Sequence, residues 1–154
     1  MYTFLCNMPK LAENKKVFFD YEILETFEGG LALTGAETKS VKAGHMQLKG
    51  AFLHIRGGEL WLKNAFISKY APAGKQENYD PSRDRKVLVH RREIGRLIGK
   101  SQQEGLTLVP ISVYTKRQFV KLEFGLARGK KQFEKRESIK KRDVERQLRE
   151  KMRE

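Results

Sequence analysis

The chain has 154 residues, of which 32 are lysine or arginine and 19 are aspartate or glutamate. The formal net charge is therefore +13, which predicts a polyanionic partner. This length favours one domain with an appended tail, while the single cysteine excludes an internal disulfide and a cysteine-based zinc site. No apolar run approaches the roughly 18 residues of a membrane span, and the N-terminus has no basic leader with a cleavage site, so we expect a soluble, cytoplasmic protein that binds no membrane.

Apolar and polar residues alternate between residues 17 and 124 with the period of two that is typical of strands. The first such segment places Val17, Tyr21 and Phe27 on one face. A hairpin is indicated where Gly57 and Gly58 separate two apolar segments, because glycine accepts the positive φ of a tight turn. The predicted strands are 17–27, 52–55, 60–62, 65–68, 86–90, 106–114 and 120–124.

Two helices are predicted between these strands. Residues 36–43 end at Gly44, which suits the position after a helix, and residues 91–104 carry apolar side chains at helical spacing. Residues 70–84 form a turn-rich loop. These elements predict a mainly β (α+β) fold whose strands form a closed or nearly closed β-barrel, because closure removes exposed strand edges.

The composition changes near Gly125. Residues 128–154 contain twelve basic and six acidic residues but only five large apolar ones. This apolar surface is too small to offset the entropy of ordering the segment. We therefore predict a folded body at residues 1–127 and a basic tail at 128–154 that is disordered when free.

Catalytic and metal-binding patterns are sparse. The histidines, His45, His54 and His90, have no ligand spacing, and the chain contains no nucleophile elbow, Walker loop or dinucleotide fingerprint. Its four aspartates are scattered along the sequence, so there are few candidate ligands for the two metal ions of a nuclease site. We expect no catalytic site, no metal and no cofactor.

Basic residues occur in short groups within the predicted body. Lys39 and Lys42 share one face of the first helix, and Arg91 and Arg92 open the second helix. Further groups are Arg83, Arg85 and Lys86 before a strand, and Lys130 and Lys131 after Gly129. Basic residues interleaved with aromatic ones are typical of proteins that bind structured RNA.

Ordered motifs carry a resemblance to a known family. They are Asn14-Lys-Lys with Asp20-Tyr21, Phe27-Glu28-Gly-Gly30-Leu, Gly35-Ala-Glu37-Thr-Lys-Ser40-Val-Lys-Ala-Gly44, Asp80-Pro-Ser-Arg-Asp-Arg85-Lys-Val-Leu-Val-His-Arg91-Arg-Glu93 and Leu126-Ala-Arg-Gly-Lys-Lys131. In type and spacing these segments resemble the bacterial tmRNA-binding protein family, also called small protein B or SsrA-binding protein.

The resemblance implies an oligonucleotide-binding-like barrel, short helices, a basic tail and no enzymatic activity. A member is expected to be a monomer that binds the tRNA-like domain of tmRNA and supports its charging by alanyl-tRNA synthetase. With elongation factor Tu it delivers tmRNA to stalled ribosomes, where the incomplete protein is tagged. The tail is expected to become helical in the messenger channel and decoding centre of the small subunit.

The resemblance also assigns residues. The implied RNA-binding residues are Asn14, Lys15, Tyr21, Glu28, Lys39, Lys42, Arg85, Lys86, Lys130 and Lys131, to which the basic helix start adds Arg91 and Arg92. The implied ribosome-binding residues of the tail are Glu134, Lys135, Arg136, Ile139 and Lys140. Glu28 is expected to accept hydrogen bonds from base amino groups or 2′-hydroxyls, or to orient a lysine.

Three positions depart from the family pattern. Phe19 stands where many members have histidine, Glu134 where many have aspartate, and Val144 near the place of a tail tryptophan. The alternative function is a structural ribosomal protein, which would share the basic body and tail but remain bound to ribosomal RNA. Composition does not separate these two functions, whereas the ordered motifs favour the first.

Overall fold

The computed structural model describes residues 9–74, 77–103 and 105–153. Within them the strands are β1 (Lys10–Glu13), β2 (Tyr21–Leu31), β3 (Met46–Gln47), β4 (Phe52–Arg56), β5 (Glu59–Lys63), β6 (Phe66–Ile67), β7 (Arg85–Leu88), β8 (Leu106–Lys116) and β9 (Phe119–Gly129). The α-helices are α1 (Val17–Asp20), α2 (Gly35–Lys42), α3 (Arg91–Ser101) and α4 (Gln132–Met152), and Ala71–Ala73 form a 3₁₀ turn.

Six of the strands close into a hydrogen-bonded ring. Its order is β8-β4-β5-β7-β2-β9, and β9 pairs again with β8. Every pairing in the ring is antiparallel. β1 adds to β8 outside the ring, and β3 pairs with β6 in a separate two-stranded sheet.

The core fills the inside of the ring because alternate side chains of each strand point inward. Leu60 and Leu62 of β5, for example, are almost completely buried. Phe27 and Phe124 stack with their ring centroids 5.6 Å apart, in directly paired positions of β2 and β9. Leu97 of α3 joins the same cluster, so this helix covers part of the core.

The predicted hairpin is confirmed. Arg56 pairs with Glu59 across the turn, and Gly57 and Gly58 have φ angles of 61° and 73°. Both values fall in the left-handed region that glycine adopts without strain. The helix predicted at 36–43 is also confirmed as α2, with Gly44 at a φ of 85° just beyond it.

The strand predicted to begin at residue 17 is wrong in its first four residues. Val17–Asp20 form the single turn α1, and the strand begins at Tyr21 and continues to Leu31. Val17 packs in a small second cluster with Val109 and Ile111 of β8, so a helical turn covers this side of the sheet. Tertiary packing therefore overrides the local alternation.

Other predicted boundaries also shift. The second predicted helix ends at Ser101, and residue 104 lies outside the described residues. β7 begins and ends before the predicted 86–90, and β8 and β9 are both longer than predicted. β1 and β3 were not predicted, because each is short and lacks a clear apolar alternation.

A buried ion-pair cluster ties α2 to β7. Thr34 and Glu37 form a capping box, with the Glu37 backbone N–H 3.2 Å from Thr34 Oγ1. The Glu37 carboxylate accepts hydrogen bonds from Arg85 Nε at 2.6 Å and Arg83 Nε at 3.1 Å. Arg85 also donates to the carbonyl oxygens of Ala65 and Pro81, at 2.8 and 2.9 Å.

The protonation of Glu37 follows from these contacts. Burial raises the pKa of this carboxyl, but the hydrogen bonds from Arg83, Arg85 and the Thr34 backbone outweigh it, so the pKa lies below its ordinary value. The folded state therefore binds this proton less readily than the unfolded chain. It follows that the cluster contributes stability above the ordinary glutamate pKa and loses it as the pH falls through the folded value.

No helix among the described residues is both long and apolar enough to span a membrane.

We expect Glu37→Gln to lower the free energy of unfolding by about 3–5 kcal/mol at pH 7, because it leaves two buried or half-buried arginines without their counter-charge. Urea unfolding followed by circular dichroism measures this change. Glu22→Gln is the matched control, because Glu22 pairs with Arg128 where both side chains are more than half exposed, and such a pair contributes no more than about 1 kcal/mol.

Urea unfolding of the wild-type protein and of Glu37→Gln can also be measured as a function of pH. The wild-type protein should lose stability as the pH falls below 4.5, the ordinary value for glutamate, and Glu37→Gln should lose less over the same range. Identical acid sensitivity in the two proteins would contradict the role assigned to this carboxylate.

Candidate nucleic-acid interface

The first group of predicted RNA-binding residues lies around α1. Asn14 precedes the helix, with its side-chain amide 3.2 Å from the Pro110 carbonyl, and Lys15 is exposed beside it. Tyr21 follows the helix and, with Asn14, lines a cavity of about 340 Å³. Lys130 returns to the same place, because its backbone N–H donates to the Asp20 carbonyl at 2.9 Å. We call residues 14–21 with Lys130 and Lys131 the α1 surface.

A second surface, which contains the predicted residue Glu28, lies on the outside of the ring, where β7, β2 and β9 are neighbours. Gly30 of β2 pairs with Leu88 of β7 and with Lys121 of β9. A Cβ at Gly30 would lie 3.6 Å from Leu88 Cβ and 3.9 Å from Lys121 Nζ, so these three residues share one outer patch. Leu88 is 53% exposed. We call Glu28, Gly30, Leu88 and Lys121 the outer wall.

Glu28 is held in place on this wall by a buried tyrosine. The Tyr114 hydroxyl donates a hydrogen bond to the Glu28 carboxylate, and Lys116 Nζ lies 3.6 Å from its other oxygen. Burial and the contact with Glu28 raise the pKa of the Tyr114 hydroxyl above its ordinary value, so this hydroxyl stays protonated and keeps donating. The carboxylate is therefore oriented, with one oxygen facing a basic side chain.

The remaining predicted residues of the body are more widely spread. Lys39 and Lys42 are exposed on α2, and Lys39 Nζ lies 5.9 Å from the centre of the Tyr70 ring. Arg91 and Arg92 are exposed at the start of α3. Lys86 forms an ion pair of 2.7 Å with Glu59, and both side chains are about two-fifths exposed. These positions add positive charge beyond the two defined surfaces.

Arg85 lies inside the fold and not on the predicted surface. Its side chain has no exposed area, and its guanidinium is occupied by Glu37 and by backbone carbonyls. In this conformation the Arg85 side chain is out of reach of a bound RNA. The basic motif 83–86 thus divides into a buried arginine and the half-exposed Lys86.

The α1 surface and the outer wall are separate. Tyr21 and Glu28 lie seven residues apart on β2, which corresponds to about 23 Å along a strand. The ring therefore places Glu28 and the predicted residues of the α1 surface in two patches near opposite ends of β2 and β9, and the remaining predicted residues lie outside these patches. A partner that contacts both patches must be large.

The tail forms α4, whose first turns contact α1. The Glu134 carboxylate accepts from the Lys131 backbone N–H at 3.1 Å, and Lys135 Nζ lies 3.3 Å from Asp20 Oδ1. Arg142 lies over the Phe19 ring at 5.8 Å, so phenylalanine at this position holds a cation of the tail. Arg136, Ile139 and Lys140 are exposed.

Sequence reasoning assigned no role at this site to Tyr114, Leu88, Lys121 or Asp20. Tyr114, Leu88 and Lys121 acquire their place beside Glu28 only through strand register, which the alternation of the sequence does not specify. Asp20 was recognised as part of a motif but not as the partner of Lys135. The signal available for Lys121 was its outward position between Val120 and Leu122, which are both buried.

Comparisons with known proteins agree on one family. A family model described as "SmpB protein" matches residues 11–154. An SsrA-binding protein of Acaryochloris marina is 51% identical over 138 residues, covering 90% of each chain, and one of Carboxydothermus hydrogenoformans is 49% identical, covering 90% of this chain and 92% of the relative. A solved structure described as "tmRNA-SmpB: a journey to the center of the bacterial ribosome" is 49% identical with a TM-score of 0.64, covering 78% of this chain and 84% of the other.

The hydrogen bond between Tyr114 and Glu28 should contribute to the free energy of unfolding. Tyr114 is 4% exposed, so Glu28→Ala leaves a buried hydroxyl without its acceptor and should cost about 1–3 kcal/mol. Glu28→Gln retains an acceptor oxygen and should cost less. Urea unfolding of both variants measures the difference.

The double variant Glu28→Ala with Tyr114→Phe is the control. Removing both partners leaves no orphaned hydroxyl, so it should be more stable than Glu28→Ala alone. Wild-type stability of the Glu28→Ala protein would show that the hydrogen bond does not hold the carboxylate.

Proposed function

This chain belongs to the SmpB protein family, and on that premise we propose that it is an RNA-binding adaptor of trans-translation. It binds the tRNA-like domain of tmRNA, supports its charging by alanyl-tRNA synthetase, and accompanies it with elongation factor Tu to stalled ribosomes in the cytoplasm. The observation that carries this proposal is the solved tmRNA-SmpB structure, to which the chain is 49% identical over 78% of its length. The adaptor acts as a monomer and performs no chemical step itself.

The body acts as an oligonucleotide-binding-like barrel. Support for this interpretation comes from the closed ring of six strands, since a closed sheet gives a rigid outer surface without free strand edges. A rigid surface suits recognition of RNA by shape. The two surfaces at opposite ends of β2 then present fixed contacts to a folded RNA.

Each surface contributes a different kind of contact. On the outer wall, Lys121 neutralises a phosphate, Leu88 packs against a sugar or base, and the oriented Glu28 carboxylate accepts from a base amino group or a 2′-hydroxyl. On the α1 surface, the lysines contact phosphates and Tyr21 offers an aromatic face for stacking. The lysines supply affinity, whereas Glu28 supplies selectivity.

Arg85 has a positioning role in this function. Its guanidinium joins α2, through Glu37, to the Pro81 carbonyl. The exposed Lys39 and Lys42 of α2 and the half-exposed Lys86 of β7 are thereby held in a fixed relation. Arg85 therefore fixes the positions of these exposed lysines from inside the fold and does not contact the RNA.

The tail binds the messenger channel and decoding centre of the small ribosomal subunit. Its described contacts with the body end at Arg142, and all residues of the helix from Asp143 onward are exposed. A helical segment this short is marginal in water without a partner. We propose that the segment from Asp143 onward is disordered in the free protein and is held as a helix by ribosomal RNA. The earlier turns of α4 contribute further contacts with the ribosome through Glu134, Lys135, Arg136, Ile139 and Lys140.

The salt dependence of binding distinguishes the two kinds of contact. The logarithm of the affinity for the tRNA-like domain should fall linearly with the logarithm of the salt concentration, by about 0.7–0.9 for each phosphate neutralised. Lys130→Ala with Lys131→Ala should flatten this slope, whereas Glu28→Gln should weaken binding at every salt concentration with the slope unchanged. Fluorescence anisotropy of a labelled tRNA-like domain measures both quantities.

An unchanged slope in the lysine variant would remove these two residues from the contact surface. Wild-type affinity in Glu28→Gln would show that the carboxylate has no part in recognition. Lys151→Ala, at the far end of α4, is the control for a loss of positive charge away from the surface.

The tail separates binding from delivery. A chain that ends after Phe133 keeps the body, so it should retain most of its affinity for tmRNA but fail to support tagging of proteins on stalled ribosomes. Lys135→Ala with Arg136→Ala should reduce tagging less severely. A tagging assay in a reconstituted translation system, run beside the anisotropy titration, measures both activities.

Full tagging by the truncated chain would overturn the role of the tail. A stably formed helix from Asp143 onward in the free protein, observed by NMR, would overturn its folding on the ribosome.

A further inference from the structure

The outer face of β5 carries an aromatic side chain to which the proposed function assigns no role. Trp61 is the only tryptophan in the chain. It lies between Leu60 and Leu62, which are buried inside the ring, so the alternation of the strand places Trp61 outside. Its cross-strand neighbours are the exposed His54 of β4 and the half-exposed Lys86 of β7.

Trp61 lies next to the outer wall. It pairs with Lys86, and Leu88 of the wall follows two residues later on the same face of β7. Diagonal neighbours of this kind are about 7–8 Å apart in an antiparallel sheet. The same RNA that covers Leu88 therefore comes within reach of the indole.

We propose that Trp61 is a stacking platform for an unpaired nucleotide of the tRNA-like domain, which extends the RNA interface from the outer wall across β7 and β5. This inference rests on the proposed function, because it takes the RNA to be bound at Leu88 and Lys121. The indole has the largest aromatic face of any side chain, and stacking of a base on it tolerates any base.

The charges around Trp61 suit an RNA strand. Arg56 is exposed in the hairpin of β4 and β5, and Lys86 is paired only with the half-exposed Glu59 in the ion pairs described. Solvent screens an ion pair whose two side chains are each about two-fifths exposed, so Lys86 exchanges the carboxylate for a phosphate at small cost. A nucleotide stacked on Trp61 then has basic side chains on two sides of its backbone.

The single tryptophan makes a direct test possible. Intrinsic fluorescence of the wild-type protein, excited at the indole band, reports Trp61 alone. Titration with an unlabelled transcript of the tRNA-like domain should change this emission, with a midpoint that matches the dissociation constant from anisotropy of the labelled transcript.

Variants test whether the contact contributes affinity. Trp61→Leu should weaken binding about 5- to 150-fold, the range for loss of one base–aromatic stack, whereas Trp61→Phe should retain most of the affinity because it keeps an aromatic face. Phe66→Leu is the matched control, since Phe66 is 39% exposed and lies in the separate two-stranded sheet. Urea unfolding verifies that the variants are folded, and the wild-type titration remains decisive if Trp61→Leu does not fold.

The outcomes separate this inference from the proposed function. If the labelled transcript binds while the Trp61 emission stays constant, the stacking platform is refuted and the adaptor function stands. Wild-type affinity of a folded Trp61→Leu protein would refute it as well. If the transcript does not bind the wild-type protein at all, both proposals fall.

Discussion

The pairing of β9 with two strands at once is the constraint on which the rest of the structure depends. β9 pairs with β2 on one side and with β8 on the other, and this double pairing closes the ring. Close approach is needed at its centre, because a Cβ at Gly125 would lie 3.0 Å from Ile23 Cγ2 and 3.2 Å from the Glu25 carbonyl. One end of β9 carries Lys121 to the outer wall, and the other leads directly into Lys130 and the tail.

This arrangement explains how one small domain serves two large partners. The ring holds the α1 surface and the outer wall about 23 Å apart along β2, and in the proposed function a folded RNA contacts both. The tail leaves from the α1 surface, where Asp20 contacts Lys135, and its residues from Asp143 to Arg153 are exposed. We infer that RNA bound at α1 and the direction of the tail are linked through this single turn of helix.

Local patterns predicted the elements whose causes are local. The β4–β5 hairpin depends on Gly57 and Gly58 and on the alternation beside them, and α2 depends on a cap and a terminal glycine, so both were predicted correctly. The start of β2 was not predicted correctly, because Val17 lies in a helical turn that packs against β8. Val17 and its partners in β8 are more than 90 residues apart in the sequence.

The candidate site shows the same division. Its family motifs are contiguous in sequence, and they identified Glu28 and the lysines around α1 as candidates. The burial of Arg85 depends on Glu37, 48 residues away, and the places of Leu88 and Lys121 depend on strand register. Neither property is visible in a basic motif taken alone.

The identity of the RNA that the protein holds in its own cells tests the central claim most directly. The full chain is purified under native conditions at moderate salt, and the RNA that accompanies it is extracted and sequenced, with a mock purification as the control. We predict a single dominant species, tmRNA, at an amount comparable with the protein. Bulk ribosomal RNA without enrichment of tmRNA would contradict the adaptor function and favour a structural ribosomal protein.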